Sequence, residues 1–134
     1  MLKRRILSVL LVLAMLVPFA GAAQTAQDNM RGVWVASVAN IDYPSSAGMT
    51  AQALAAEADT MLDNIAAMGL NTVFLQVRPS ADALYRSGLF PQSRYVSGTC
   101  GASPDGDFDV LAYWVEGAHE RGLQLHAWIN PYRI

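Results

Sequence analysis

Cysteine and lysine are scarce in this sequence, and charged residues of either sign are few. The 134 residues include one cysteine, Cys100, so no internal disulfide can form and the thiol either stays free or pairs with a partner outside this sequence. Only 15% of the residues are charged, whereas 53% are hydrophobic. This balance favours a packed core over disorder.

Short motifs that indicate a nucleotide site, a metal or an activated serine are also missing. The sequence contains no GxGxxG, no P-loop and no GxSxG. Its two histidines, His119 and His126, form neither an HxH nor an HExxH pair. We therefore predict no cofactor, no metal site and no serine-type nucleophile.

Residues 1–23 have the pattern of a secretory signal peptide. Basic residues at positions 3–5 precede an apolar run at 6–17, and small residues follow. The run has about 12 residues, short of the ~20 that span a bilayer, which favours a cleaved signal over a membrane anchor. We expect cleavage after Ala22 or Ala23 and an exported protein, located outside the cell, in the periplasm or in the cell envelope.

The chain that remains after the signal peptide is acidic. Loss of three of the nine basic residues leaves six scattered arginines against eleven acidic residues, a net charge of −5. Nucleic-acid binding needs a clustered basic surface, so nucleic acid is not an expected partner. Contact with a membrane is expected through the signal peptide alone.

After a short polar leader at 24–29, strand and helix patterns alternate. Thr50 and Asp109 are predicted helix caps, and Gly69 and Gly122 are predicted to end the two helices. Each helix is long enough for a crossover, so the three strands are predicted to be parallel. The predicted elements are strands at 31–39, 71–78 and 123–130 and helices at 51–68 and 110–121.

The connections between these elements differ greatly in length. One or two residues join each helix to the next strand, whereas the strand-to-helix connections span residues 40–49 and 79–108. In a parallel α/β protein such connections leave the C-terminal ends of the strands, where barrel active sites lie. We therefore look for the site among polar residues at these strand ends.

Alternation sorts the second and third strands into an apolar row and a polar row. The apolar rows suit packing under helices, and the polar rows are predicted to face a barrel interior. The polar rows are Phe74, Gln76 and Arg78 in the second strand and Gln124, His126, Trp128 and Asn130 in the third. Alternatively, Gln76, His126 and Asn130 satisfy one another as structural residues, the reading we favour for mid-strand His126.

Two aspartates are predicted at the same strand ends. Asp42 follows the first strand and either contributes a carboxylate to the site or forms a turn before Pro44. Asp82 follows the second strand. It either pairs with Arg86, if that stretch is helical, or neutralises Arg78.

Three long blocks of sequence carry a family resemblance. They read RGVWVASVANIDYPS, NTVFLQVRPSADALYRSGLFPQS and DFDVLAYWVEGAHERGLQLHAWINPYR. They closely resemble the glycosyl-hydrolase-like family 10 proteins, formerly a domain of unknown function. The resemblance implies a (β/α)8 barrel of the glycosidase type in exported or envelope proteins of bacteria, some of which are associated with cleavage of peptidoglycan glycan strands.

The resemblance implies an α/β fold in which residues 30–134 are the N-terminal part of an incomplete TIM barrel, with three strands and two helices. The family's next motif, an acidic strand containing Asp-Asp-Tyr, is expected shortly after Arg133. We therefore expect a truncated chain. We also expect it to be unstable when made alone, because an open sheet has two free edges.

The favoured function is a glycoside hydrolase that acts on a bacterial envelope or extracellular glycan, with peptidoglycan strands as one candidate. Such hydrolysis usually needs two carboxyl groups, and Asp42 and Asp82 are the catalytic candidates. Mid-strand Trp34 is expected in the core. A non-catalytic carbohydrate-binding barrel and an inactive truncated fragment stay open as alternatives. The substrate-binding candidates are Arg78, Gln76, Asn130, Tyr85, Trp128 and Arg133.

Overall fold

A computed structural model describes residues 29–133, and the predicted signal peptide lies outside these residues. Short 3-10 turns at Val38–Asn40 and Asp105–Asp107 lie in the connections after the first two strands. The strands are β1 (Gly32–Val35), β2 (Thr72–Arg78) and β3 (Gln124–Ile129), and the helices are α1 (Ala51–Ala67), α2 (Arg94–Ser97) and α3 (Val110–Glu120).

The three strands form one parallel sheet in the order β1-β2-β3. Thr72 is aligned with both Gly32 and Gln124, so the strands start level with one another. An irregularity between Gln76 and Arg78 shifts the register before the strands end. The predicted α/β class, the parallel strands and the two crossover helices are confirmed.

The helices begin and end where their capping residues predict. The Thr50 side chain accepts a hydrogen bond from Ala53 N at 3.2 Å, and Asp109 Oδ1 accepts one from Ala112 N at 3.0 Å. Gly69 has a φ of 73° just past the last turn of α1, a left-handed conformation that favours glycine. Both predicted helices therefore agree with the structure to within one residue.

The prediction from sequence is less accurate for β1 and for the long second connection. β1 ends at Val35, although a strand was predicted to residue 39. The chain turns there because the N–H groups of Ser37 and Val38 bind the side chain of Gln76 instead of continuing the ladder. The four-residue helix α2, inside the connection at 79–108, was not predicted.

The hydrophobic core lies between one face of the sheet and the two long helices. The apolar row of β2 is at most 1% exposed, as predicted. Gly117 lets α3 approach α1 closely, because a Cβ there would lie 2.9 Å from Leu62 Cδ1. Met68, the residue that follows the last turn of α1, is 65% exposed. The core includes Val73, Leu75 and Val77 of β2, Leu54, Ala58, Leu62 and Ile65 of α1, and Val110, Trp114 and Ala118 of α3.

Polar contacts also join α1 to α3. Arg121 binds Asp59 at 3.1 Å and Asp63 at 2.6 Å, and the Tyr113 hydroxyl donates to Asp59 Oδ2 at 2.7 Å. The hydrogen bond to Asp59 raises the pKa of Tyr113, and the hydrogen bond to Asp63 raises the pKa of Arg121. These contacts link α1 to residues near both ends of α3.

The opposite face of the sheet carries aromatic side chains and no helix among residues 29–133. Trp34 stacks on Phe74 with ring centroids 4.6 Å apart and meets the edge of Trp128 at 5.2 Å. Trp34 is 59% exposed, so its expected place in the core is wrong: it lies on the face away from the helices. Gly32 leaves room for Phe74, since a Cβ there would lie 2.6 Å from its ring.

Among residues 29–133, no helix has both the length and the hydrophobicity of a transmembrane span.

Replacement of Leu62 by alanine tests the one-sided core. We expect Leu62→Ala in the intact protein to lower the free energy of unfolding by about 2–5 kcal/mol, because the side chain is fully buried between α1 and α3. Met68→Ala, at the exposed end of the same helix, should change it by less than about 0.5 kcal/mol. Urea unfolding followed by circular dichroism measures both. Equal effects would contradict this packing.

Candidate functional site

The C-terminal ends of β2 and β3 lie at the same edge of the sheet. Asn130 N donates to Arg78 O at 3.1 Å, and Asn130 Nδ2 donates to Pro79 O at 3.1 Å. The Asn130 Oδ1 atom accepts a hydrogen bond from Trp128 Nε1 at 2.9 Å. The structure thus brings Arg78, Trp128 and Asn130 together at one rim.

Gln76 is completely buried and holds the end of β1 against β2. Its Oε1 atom accepts hydrogen bonds from Ser37 N at 3.0 Å and Val38 N at 2.8 Å, and Ser37 Oγ donates to Gln76 O at 2.8 Å. The alternative in which Gln76 pairs with His126 and Asn130 is therefore wrong for Gln76. Its Nε2 atom is buried without a partner among the described residues.

Asn40 joins the two long connections, and the sequence reading missed it. Its Nδ2 group donates to Pro44 O at 2.8 Å and to Tyr95 O at 2.7 Å. Both Asn40 and the preceding Ala39 have left-handed backbone conformations, with φ of 53° and 55°. Asparagine tolerates this conformation better than most residues do. An asparagine just after a predicted strand was therefore the one sequence feature that could have indicated a left-handed turn at this position.

Asp42 forms a turn with the residues that follow β1. Its Oδ2 atom accepts a hydrogen bond from Ala36 N at 2.8 Å, and Asp42 N donates to Ala36 O at 3.0 Å. These two bonds close the chain back onto Ala36, and they leave the second carboxylate oxygen free of a bond to the residues of this turn. The side chain lines a cavity of about 240 Å³, together with Trp34 and Met61.

Tyr43 anchors this connection to the core beside Asp42. Its ring is fully buried against Trp114, and its hydroxyl donates to Leu54 O at 3.1 Å. Burial raises the pKa of the Tyr43 phenol. Asp42 therefore extends from a fixed backbone, although its own carboxylate is exposed.

Asp82 is a carboxylate that is only 5% exposed and lines a different cavity. Its Oδ1 atom accepts a hydrogen bond from Ser80 N at 2.9 Å. The cavity measures about 180 Å³ and is also lined by Ser80, Arg94 and Cys100. Asp42 and Asp82, the two predicted catalytic residues, are therefore placed in separate cavities.

Both ion pairs predicted for Asp82 are wrong. Arg86 binds Asp107 Oδ2 at 2.9 Å, because the stretch after Pro79 forms bends and not a helix. Arg78 makes no ion pair among residues 29–133. It lies over the ring of Phe90 instead, 3.6 Å from the ring centroid.

The remaining predicted binding residues lie in unlike surroundings. Tyr85 is half-buried and packs against the hydrophobic core, which leaves only part of its ring for a ligand. Arg133 is exposed just beyond β3. Among residues 29–133 no group of three or more His, Cys, Asp or Glu side chains converges as metal ligands do.

Comparison with known proteins identifies the family to which this fold and rim belong. The sequence profile described as "Glycosyl hydrolase-like 10" matches residues 29–134, which include every residue of the rim. The chain belongs to the glycosyl hydrolase-like 10 family. The resemblance seen in the three sequence blocks is therefore confirmed.

Curated relatives carry glycosyl hydrolase names. "Glycosyl hydrolase YngK" of Bacillus subtilis (strain 168) is 44% identical over 118 residues, 88% of this chain and 22% of the relative. "Glycosyl hydrolase DigH" of Escherichia coli (strain K12) is 35% identical over 133 residues, 90% of this chain and 30% of the relative. The protein of the same name from Shigella flexneri matches to the same extent. This family member thus spans less than a third of the length of these relatives.

The buried amide of Gln76 gives a stability test of the rim. We expect Gln76→Leu to lower the free energy of unfolding by about 2–5 kcal/mol, because it leaves the N–H groups of Ser37 and Val38 without their acceptor. Gln92→Leu is the matched control, since Gln92 Oε1 is buried without a partner. It should change the free energy by less than about 1 kcal/mol. Chemical unfolding measures both, and similar losses would contradict the role of Gln76.

Proposed function

We propose that this protein hydrolyses glycosidic bonds in an exported bacterial glycan, with peptidoglycan strands as substrate. Membership of the glycosyl hydrolase-like 10 family and the names of the relatives support the reaction class. The observation that carries the proposal is Asp82, a nearly buried carboxylate that faces a cavity just after the C-terminal end of β2. Active sites of parallel α/β barrels lie at this end of the strands.

The proposal includes a (β/α)8 barrel, of which residues 29–133 supply the first strands. Both long helices cover one face of the sheet, and the aromatic face with Trp34, Phe74 and Trp128 is open. In a barrel this second face becomes the interior, which side chains fill. A whole barrel takes ~250 residues, and the matched relatives have the length for one.

In this mechanism Asp82 is one of the two carboxyl groups that flank the scissile bond. Its backbone partner Ser80 holds one carboxylate oxygen, and the cavity admits a small part of a sugar. Asp42 belongs to a separate cavity, and the acidic strand expected after Arg133 is the proposed source of the second carboxyl group.

The activity is tested with the intact protein and purified glycan strands from peptidoglycan, with a neutral polysaccharide as a comparison. We expect new reducing ends from the glycan strands, measured by a reducing-sugar assay and mass spectrometry of the products. Tight binding to the strands without new reducing ends would favour the alternative, a non-catalytic carbohydrate-binding barrel.

Replacement of Asp82 tests its place in the chemistry. We expect Asp82→Asn to lower kcat on glycan strands by about 100-fold or more, because an amide cannot exchange a proton with the glycosidic oxygen or with water. Asp107→Asn is the control, since this exposed aspartate lies on the same connection and pairs with Arg86. It should leave kcat within about twofold. A higher KM with unchanged kcat would instead make Asp82 a sugar-binding residue.

Export is also part of the proposal, supported by the basic start, the apolar run and the small residues of positions 1–23. We expect the protein recovered from the cell envelope or the medium to begin at Ala23 or Gln24. Mass spectrometry of the intact protein and of its N-terminal peptide measures this. Recovery of protein that still carries residues 1–22 would contradict a cleaved signal.

A further inference from the structure

The connections that follow β1 and β2 meet at the short helix α2. The side-chain amide of Asn40 uses its two N–H groups at this point, where Nδ2 donates to Tyr95 O at 2.7 Å and to Pro44 O at 2.8 Å. Gly48 N donates to Val96 O at 2.7 Å. The first connection therefore binds two of the four carbonyl groups of α2.

α2 depends on such contacts from outside because it is a single turn. A helix of four residues fixes many backbone dihedrals for very few internal hydrogen bonds, so it is unstable by itself. The side chain of Val96 is buried in the core and anchors one face of the turn. The bonds from Asn40 and Gly48 fix the backbone of α2 against the connection after β1.

The same turn contributes to the wall of the cavity that Asp82 faces. Arg94, the first residue of α2, lines this cavity together with Asp82 and with Cys100, which follows the turn. Ser93 N, at the start of α2, donates to Ala83 O at 2.9 Å. One hydrogen bond thus links the turn to the residue next to Asp82.

Asp82 itself is attached to the sheet. Leu84 N donates to Val77 O at 2.9 Å, which joins the segment around Asp82 to the end of β2. The cavity therefore has one part fixed by β2 and another part fixed through Asn40. Loss of the Asn40 bonds would displace Arg94 relative to Asp82, because Asp82 would stay attached to β2.

The backbone conformation alone does not explain an asparagine at position 40. Its φ of 53° is a left-handed conformation that glycine adopts at lower cost. An aspartate has nearly the same size, but an ionised carboxylate has no N–H group to donate to Tyr95 O or Pro44 O. The two carbonyl oxygens require two donors on a short side chain, and an amide supplies them.

We propose that Asn40 is a positioning residue for the reaction at Asp82. It acts through α2, which it holds in the place that gives the cavity its shape. Catalysis depends strongly on such placement, because a displacement of about 1 Å can lower a rate by about 100-fold. This inference rests on the proposed function, and it adds a residue that is not part of the cavity lining.

The test uses two variants of Asn40 in the intact protein. Asn40→Gly keeps the left-handed backbone and removes both side-chain bonds, whereas Asn40→Asp keeps the size of the side chain and removes only its donors. We expect each variant to lower kcat on glycan strands by about 10- to 100-fold, with a smaller change in KM. Initial rates of reducing-end formation, measured well below the unfolding temperature, give both constants.

Asn71→Gly is the matched control. Asn71 makes similar bonds at the opposite, N-terminal edge of the sheet, where its Oδ1 accepts from Arg31 N at 2.8 Å and its Nδ2 donates to Asn29 O at 3.3 Å. We expect Asn71→Gly to lower the unfolding midpoint about as much as Asn40→Gly does, and to keep kcat within about twofold. An unchanged kcat in both Asn40 variants would overturn the inference, as would an equal loss of kcat in Asn71→Gly.

Hydrogen–deuterium exchange separates this inference from the proposed function. We expect the amides of residues 96–98 to exchange at least about tenfold faster in Asn40→Gly than in the wild type, because local opening of α2 becomes easier. Asn71→Gly should leave their exchange unchanged. Wild-type protein that binds glycan strands without cleavage refutes the hydrolase, and the affinities of the variants, measured by calorimetry, then replace kcat in the comparison. Unchanged exchange in Asn40→Gly overturns the positioning role whether or not the protein is a hydrolase.

Discussion

Burial of one face of β2 is the constraint on which the rest of the structure depends. Val73, Leu75 and Val77 are completely or almost completely buried beneath α1 and α3. Because side chains alternate along a strand, this burial directs Phe74 and Gln76 to the opposite face. It also brings the long connections to the C-terminal edge, because both helices must return to start the next parallel strand. The position of the rim is therefore a consequence of core packing.

The parts of the fold that depend on local patterns were predictable from the sequence. Thr50 and Asp109 cap helices through bonds to residues three positions away, and the apolar row of β2 follows from alternation. The end of β1 was not predictable in the same way. Ser37 leaves the strand because its N–H binds Gln76, 39 residues later in the chain. A prediction from the residues near Ser37 cannot include that interaction, because Gln76 is too far away in the sequence.

The same distinction explains the site. Arg78 and Asn130 lie at the C-terminal ends of neighbouring parallel strands. Their shared rim follows from the topology of the sheet, and it was predicted correctly from the sequence. The partners of Asp82 and Arg86 were predicted from their spacing, which requires a helix that the bends after Pro79 do not form. Phe90, whose ring lies against the Arg78 guanidinium, belongs to an irregular connection. The sequence of this connection has neither helical nor strand periodicity from which its structure could be predicted. Irregular loops fold through specific long-range contacts, so their pairings became visible only in the structure.

The separation of Asp42 from Asp82 bears on the stereochemistry of the proposed reaction. Retention requires carboxyl groups ~5–5.5 Å apart and inversion ~6.5–9.5 Å, so both must face one sugar. Asp42 is bound to Ala36 N and lines its own cavity, whereas Asp82 lies beside Ser80. In the proposed barrel the outcome is thus set by the strand that carries the second carboxyl group. Asp82 is a fixed reference for that group, because its Ser80 hydrogen bond and its burial restrict it to one orientation.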